Sequence, residues 1–429
     1  MGRALGRPEA RLARHARCTC CWVRARHVQG LRLVSERTHT LPAVITTVAV
    51  AGYRSLRDVV VPLAQLNVIT GANGSGKSSL YRALRLLGDC GSGRVVGSLA
   101  REGGLPSALW AGPESLQAAR KGDHPVQGTV RASPVALRLG FATDDGFGYL
   151  VDLGLPIPAK TEFNLDPEVK REIVFSGPVA RPNAVLVQRQ GPYARARQGR
   201  DWVELTRSLD PWESMLTELA DPARAPELFA LRDEIRGWRF YDGFRVDVGA
   251  PARRPQIGTR TPVLDHDGND LAASIQTIRE LGDSAALDAA VADAFDGAQV
   301  EIVVTAGRFD LALRQPGMLR PLTSAELSDG TLRYLLLVAA LLTPRPPALM
   351  VINEPETSLH PDLLAPLGRL VLGASQNSQL VVVSHSPALL DVLAGGTTHR
   401  VELVKDLGET RVAGQLPLDA PPWHWGSRS

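Results

Sequence analysis

Between residues 66 and 87 the chain spells out a buried strand, a glycine-rich loop and an amphipathic helix in direct succession, and no other stretch restricts the fold as tightly. Leu66-Asn67-Val68-Ile69-Thr70 is a short β-branched run that stops at a glycine, consistent with a buried strand. Gly71-Ala72-Asn73-Gly74-Ser75-Gly76-Lys77-Ser78 then satisfies G-x-x-x-x-G-K-[ST] at every fixed position. From Ser78 to Leu87, apolar Leu80, Ala83, Leu84 and Leu87 recur at the spacing of one buried helix face. The glycines let backbone N–H groups curl round phosphates, and the helix that follows turns its positive end toward them. In that arrangement Lys77 reaches the β- and γ-phosphates and the Ser78 hydroxyl ligates Mg²⁺, which makes Gly71 through Ser79 nucleotide-contact candidates. A glycine-rich turn matching by chance would lack the strand before it and the helix after it. Both are present.

At 429 residues the chain suits two or three domains, or one large α/β domain carrying an insertion. With 44% hydrophobic and 22% charged residues it can bury a sizeable core, which excludes wholesale disorder and a disulfide miniprotein. The longest apolar run, Tyr334 to Leu342, falls far short of the roughly 20 residues that span a bilayer. With no signal-peptide pattern either, the expected setting is cytoplasmic, without membrane contact. The formal charge of +3 is unevenly spread: residues 1–40 carry nine Arg and two Glu, a net of +7, which leaves about −4 on the other 389. A slightly acidic body argues against strong sequence-independent nucleic-acid affinity over the whole surface, though not against a local basic patch. Cys18, Cys20 and Cys21 are too crowded, with only His15 and His27 nearby, for the spacing of a zinc site, and they read as thiols of the basic leader. Cys90 stands alone.

Residues 1–42 lack apolar periodicity and read as a flexible arm or as the product of an upstream start site. Ile45 to Ala51 is a strand, with Arg57 to Val61 as its hairpin mate. The middle, roughly 90–320, mixes strand-like pieces (Val135 to Leu139, Tyr149 to Leu153, Ala184 to Gln188, Val300 to Val304) with helix-like ones (Trp212 to Ala220, Glu227 to Trp238, Leu271 to Leu281, Ala285 to Phe295). No repeat and no sustained heptad appears, so a long coiled-coil arm is excluded. Order returns with a helix over Ser328 to Leu342 and a strand over Ala348 to Ile352. Then come a helix over Pro361 to Gly373, a strand over Leu380 to Val383, a helix over Ser386 to Leu393 and a strand over Arg400 to Val404. Strands alternating with helices predict a mainly parallel sheet covered on both faces.

Three further blocks carry chemistry. Ala348 to Glu356 is an apolar strand ending in Asn353-Glu354-Pro355-Glu356, which sets carboxylates at the C-terminal edge of a sheet. Glu354 suits the base that orients or deprotonates an attacking water; the bland alternative is that both glutamates cap the next helix. Leu327-Ser328-Asp329-Gly330-Thr331 opens a helix and, taken alone, is an ordinary N-cap. Val381-Val382-Val383-Ser384-His385 ends a buried strand in a histidine placed to contact a γ-phosphate, although a lone histidine is more often structural.

In this order the four blocks resemble the ATP-binding-cassette type of nucleotide-binding head, and more closely the AAA_21/RecF–SMC-like group of bacterial ATPases. Gly71–Ser78 matches the Walker A loop, Leu327–Thr331 the signature motif and Ile352–Glu356 Walker B. Ser358-Leu359-His360-Pro361 matches the D-loop, His385 the switch histidine, and Gly52-Tyr53-Arg54-Ser55-Leu56 a first strand whose basic residue, Arg54, approaches the nucleotide. The likeness covers about 43–105 and 320–405. It implies a basic extension (1–42), a first ATPase lobe (43–140), an inserted α/β cap (141–319), a second lobe (320–410) and a loose tail (411–429). The fold implied is a P-loop NTPase with a mainly parallel sheet flanked by helices. Because 250 residues separate Ser78 from Ser328 without heptads, the insertion between the lobes should be compact, with no long coiled coil.

The resemblance also implies a mechanism. Two copies pair head to tail, each holding ATP and Mg²⁺ between its own Walker A loop and the other's Ser328–Gly330. Lys77, Glu354 and His385 form the catalytic set, and Ser78, Asn353 and Glu354 the metal set. Asn353 stands where the group has Asp, so weaker Mg²⁺ dependence is expected, with Glu356 able to compensate. Asp329 replaces the first signature glycine, and Gln188 is the one candidate for the Q-loop position. The implied role is a nucleotide-driven dimeric clamp in DNA repair or genome maintenance, of the double-strand-break class. Arg195, Arg197, Arg200, Arg253, Arg254 and Arg260 are its candidate DNA contacts. The alternative is an ATPase that controls a separately encoded effector in phage defence or regulation.

Overall fold

The computed structural model describes residues 43–113, 120, 135–144, 146–156, 162–219, 221–416 and 418–426. The expected flexible arm (1–42), with Cys18, Cys20 and Cys21, lies outside the described residues.

Among the described residues the strands form three sheets. The first begins with the hairpin β1 (Ile45–Tyr53) and β2 (Leu56–Pro62). It continues through β4 (Leu137–Thr143), β5 (Phe147–Gly154), β6 (Glu168–Ser176), β7 (Val185–Gln190), β8 (Tyr193–Gln198) and β9 (Asp201–Thr206). Its order is β2-β1-β4-β5-β6-β7-β8-β9, antiparallel throughout. The second sheet is the expected, mainly parallel one. It comprises β10 (Arg239–Tyr241), β15 (Leu349–Asn353), β16 (Gln379–Val383), β3 (Leu66–Gly71), β17 (His399–Asp406) and β18 (Glu409–Val412), in that order across the sheet, with only β18 reversed. A smaller antiparallel sheet holds β11 (Gln256–Ile257), β12 (Gln299–Thr305), β13 (Arg308–Arg314) and β14 (Leu322–Thr323). The main helices are α1 (Lys77–Cys90), α2 (Val95–Arg101), α3 (Pro226–Gly237), α4 (Leu271–Leu281), α5 (Ser284–Ala294), α6 (Asp329–Leu341), α7 (Leu364–Ala374) and α8 (Pro387–Leu393).

Alternation explains why the parallel sheet is the centre of the molecule. Ile69, Val351, Val381 and Val383 point into one core with α1 and the antiparallel sheet, while Val68, Ile352, Leu380 and Val382 point into the other with α4, α6 and α7. A strand buried on both faces needs apolar residues at every position, and these runs supply them. Helix α6 is buried almost all round, from Leu332 to Leu341, because it lies beneath this second face. Gln379 fastens the two large sheets together: its amide oxygen accepts from Ile45 N at 3.0 Å and its nitrogen donates to Ile45 O at 2.7 Å.

The stretch between the lobes is compact and mixed α/β, and it is built into all three sheets rather than standing apart. Residues 137–206 extend the antiparallel sheet, β10 joins the parallel one, and 256–314 form the small sheet with α4 and α5. Among the strands that escaped the sequence reading, β6, β8, β9 and β13 carry charged residues at several positions, which hides their period. The segment after 410 differs from the loose tail expected. Residues 411 and 412 complete β18, and Trp423 packs edge-on against Phe175 at 6.1 Å. A side chain at Gly140 would come within 2.4 Å of the Trp423 ring, so a glycine in β4 makes the slot that receives it. Trp425 donates to Asp58 Oδ1 at 3.2 Å. No described helix is long and apolar enough to cross a membrane.

Candidate functional site

The loop after β3 has the backbone its glycines allow. Gly71, Gly74 and Gly76 hold φ of 143°, 78° and 109°, a region that side chains disfavour. A Cβ on Gly71 would lie 2.3 Å from the Leu403 carbonyl oxygen, and one on Gly76 would lie 2.2 Å from Thr410 Oγ1. Ala72, Asn73 and Gly74 form an exposed crest, with Ser78 exposed and Ser79 half-buried beyond it. Lys77 is buried and donates through Nζ to the Gly71 and Ala72 carbonyls at 2.7 and 3.1 Å, closing the loop on itself. The Ser75 hydroxyl is buried without a partner. The sequence reading missed Thr410 of β18, which donates to the Ser75 carbonyl at 2.7 Å and lies 2.8 Å from Ser55 Oγ. It pins the loop to the β1–β2 turn.

Parallel register brings the acidic block to the same edge. Asn353 pairs with Val383, and Val383 with Ile69, so β15 and β16 end side by side at Asn353 and Val383, two residues before β3 ends at Gly71. Asn353 Oδ1 is buried and has no partner. Glu354 adopts φ 48°; its N–H donates to the Val383 carbonyl at 2.8 Å, and its carbonyl accepts from Arg333 Nη2 at 3.2 Å and Thr357 N at 3.1 Å. Glu356 Oε1 accepts from Ser384 Oγ at 2.7 Å and from the His385 N–H at 3.0 Å, while Oε2 is buried and unpartnered. His385 Nδ1 stands 3.4 Å from Glu356 Oε1 and 4.0 Å from Glu354 Oε1. Burial pulls the Arg333 guanidinium below its ordinary value, with the Glu356 and Glu354 carboxylates opposing that shift. Lys77, Asn353, Glu354 and His385 therefore share one sheet edge, and Glu356 links the turn after β15 to the turn after β16.

Ser328 and Gly330 sit elsewhere. Ser328 is exposed, caps α6 by accepting from Thr331 N at 3.1 Å, and keeps its contacts within its own turn. A Cβ on Gly330 would lie 2.9 Å from the Ser358 carbonyl oxygen, so the glycine lets the signature turn close on the D-loop turn. Arg253, a candidate DNA contact, is buried, donating to the Val246, Ser324 and Leu327 carbonyls at 2.8, 3.1 and 2.6 Å and to Asp329 Oδ1 at 2.6 Å. The reason is physical: the carbonyls before α6 need donors, and this guanidinium supplies them. Arg195 and Arg197 lie in β8 and stack on Trp202, 4.6 and 5.1 Å from its ring centre; Arg200, Arg254 and Arg260 are exposed.

Arg54 pairs with Glu102 at 2.7 Å, facing a cavity of about 480 Å³ that no residue of 71–79 lines. Gln188 lies in β7, opposite Ile173 and Arg195, four strands from β1 and about 19 Å away at the usual spacing. That position keeps it in the antiparallel sheet.

Among the described residues no three His, Cys, Asp or Glu side chains form a cluster able to hold a metal unaided. Mg²⁺ ordinarily takes one or two protein oxygens and completes its shell with phosphates and water. The exposed Ser78 hydroxyl and the orphaned Asn353 oxygen fit that demand.

Residues 66–391 match the sequence model of the AAA_21 family, described as "AAA domain, putative AbiEii toxin, Type IV TA system". No curated protein matches the chain. Similar solved structures include an SMC head bound to the C-winged helix domain of ScpA, at 14% identity and TM-score 0.46, covering 86% of this chain and 96% of that one. Another is the SMC head domain from Thermotoga maritima, at 14% identity and TM-score 0.40, covering 86% and 98%. A third is an Smc head with an extended coiled coil bound to the C-terminal domain of ScpA, derived from Pyrococcus furiosus, at 14% identity and TM-score 0.41, covering 86% and 95%.

Proposed function

The chain belongs to the AAA_21 family, and from that premise we propose that it binds ATP with Mg²⁺ and hydrolyses it as a nucleotide-driven dimeric switch. The single observation that carries this reading is the shared sheet edge at which Lys77, Asn353, Glu354 and His385 meet. Lys77 leaves the loop carbonyls and neutralises the β- and γ-phosphates, at little cost because one set of oxygens replaces another. Ser78 and Asn353 would hold Mg²⁺, which when bound would supply charge neutralisation for phosphoryl transfer. Glu354 orients the attacking water and takes its proton, and its left-handed backbone is held on both sides by Val383 and Arg333. His385 is steadied by Glu356 and faces the γ-phosphate. The exposed Ser328 end of a second copy covers that phosphate, so that the nucleotide joins the two heads until it is cleaved.

The cellular setting we propose is a DNA-repair or genome-maintenance clamp in the cytoplasm, with DNA bound across the paired heads. A second reading, control of a separate effector in a defence or regulatory system, is favoured by the family's own description and by the internal commitments of Arg253, Arg195 and Arg197. Phosphate release by wild type, Lys77→Ala and Glu354→Gln tests the catalytic reading. Each substitution is expected to slow turnover by about 10²-fold or more. Equal rates in all three would remove both residues from the mechanism.

A further inference from the structure

The turn before β11 sends one side chain back to the start of α6. Pro251–Arg253 is a single 3₁₀ turn, and the Arg253 side chain, 6% exposed, reaches from it to the segment between β14 and α6. Its Nε donates to the Val246 carbonyl and its Nη1 to the Ser324 and Leu327 carbonyls, so backbone oxygens already give the buried guanidinium partners. Nη2 does something else: it donates to Asp329 Oδ1 at 2.6 Å, a carboxylate that is 63% exposed and that water can serve. Burial alone does not require that bond. Helix stability does not require it either, because a carboxylate in the first turn already suits the positive end of α6. Asp329 directly follows Ser328, the residue that caps the helix. The acid on the other side, Glu326, is also taken, by Arg320 at 2.7 Å and by the Thr323 N–H at 2.9 Å. Each carboxylate flanking Ser328 in sequence therefore has a guanidinium partner.

We infer that Arg253 is a positioning residue for the nucleotide held between two copies: it cancels the charge that Asp329 brings beside Ser328, so that this turn accepts the other copy's phosphate. The inference rests on the paired-head reading above and deepens it. A nucleotide phosphate is anionic, and an uncancelled carboxylate one residue from the serine opposes it. With Nη2 on its oxygen, Asp329 and Arg253 together add no net charge, and the bonds to Val246, Ser324 and Leu327 keep the guanidinium in place. A two-fold pair contains this contact twice, so any change of charge here enters twice. The residue that conditions Ser328 thus comes from the turn before β11, 76 positions before Asp329.

Sedimentation of the full chain carrying Glu354→Gln, at saturating ATP and Mg²⁺, gives the dissociation constant of the pair without relying on turnover. Adding Asp329→Asn keeps the Nη2 hydrogen bond but leaves a net positive charge, and it is expected to tighten pairing at least about threefold, less so in high salt. Adding Arg253→Gln leaves a net negative charge and is expected to weaken pairing at least about tenfold. With both substitutions the charge balances again, and pairing returns to within about threefold of the parent. ATP affinity of the dilute single chain stays within about twofold throughout. If Arg253 merely serves carbonyls, the double variant pairs as weakly as Arg253→Gln alone, and that result overturns the proposal. Asp329→Asn pairing no tighter than the parent overturns it too. Should Arg253→Gln fail to fold, the Asp329→Asn comparison decides by itself: tighter pairing that fades with salt supports the assignment, and equal or looser pairing ends it. A parent that stays single at saturating ATP removes the paired-head reading, and the inference with it.

Discussion

Glu354 occupies a backbone region that costs a side-chain-bearing residue about 1–2 kcal/mol, and it is held there by hydrogen bonds at both its N–H and its carbonyl. A different residue ties stability to pH. Burial lifts the Glu234 carboxyl of α3 to about 7, and one of its oxygens is buried without a partner. The folded value lies above the unfolded one, so the stability this group contributes is complete below about pH 4.5 and lost as pH climbs through 7. Glu234→Gln should match wild type in urea unfolding at pH 4.5 and exceed it by about 1–3 kcal/mol at pH 8. Equal stability at pH 8 would contradict this. Arg253 shows where reading single residues from sequence fails. Its Arg-Arg-Pro surroundings look solvated, yet it satisfies carbonyls more than 70 positions later.

At the scale of elements, legibility follows range. The β3–loop–α1 unit was readable because strand, glycines and helix are contiguous, and the strands bearing Asn353 and His385 announced themselves as continuous apolar runs. What the loop rests on was not readable: Thr410 lies 335 residues from Ser75, and only the β17–β18 hairpin brings it there. Strand β10 is three residues long and is defined by pairing with β15, more than 100 positions away, which is why it did not stand out in the sequence.

The antiparallel sheet hides a similar long-range device. Arg189 of β7 and Glu172 of β6 are both fully buried and 3.2 Å apart, with Tyr149, Ser214 and the Met215 N–H also donating to Glu172. Removing one member of such a pair leaves the other buried and unmatched. Arg189→Met should therefore lower unfolding free energy by about 3–5 kcal/mol, measured by urea titration. A loss under about 1 kcal/mol would show that the network is not stabilising these strands.

For the whole molecule, the arrangement is asymmetric. One end of the parallel sheet gathers the phosphate loop and the acids, whereas Ser328 caps α6 at an exposed position with no contact beyond its own turn. This helix N-terminus, with its exposed serine, is fixed from behind by Arg253. In the two-fold pairing we propose, it would meet the other copy's phosphate and give each nucleotide a second wall. The most direct test is the solution mass of Glu354→Gln, in which hydrolysis is blocked, measured with and without ATP. The account predicts one 46.1 kDa chain without nucleotide and a pair with it, the pair being lost when Ser328→Arg is added while ATP affinity stays the same. A single chain at saturating ATP, or a pair that forms regardless of ATP, would contradict it.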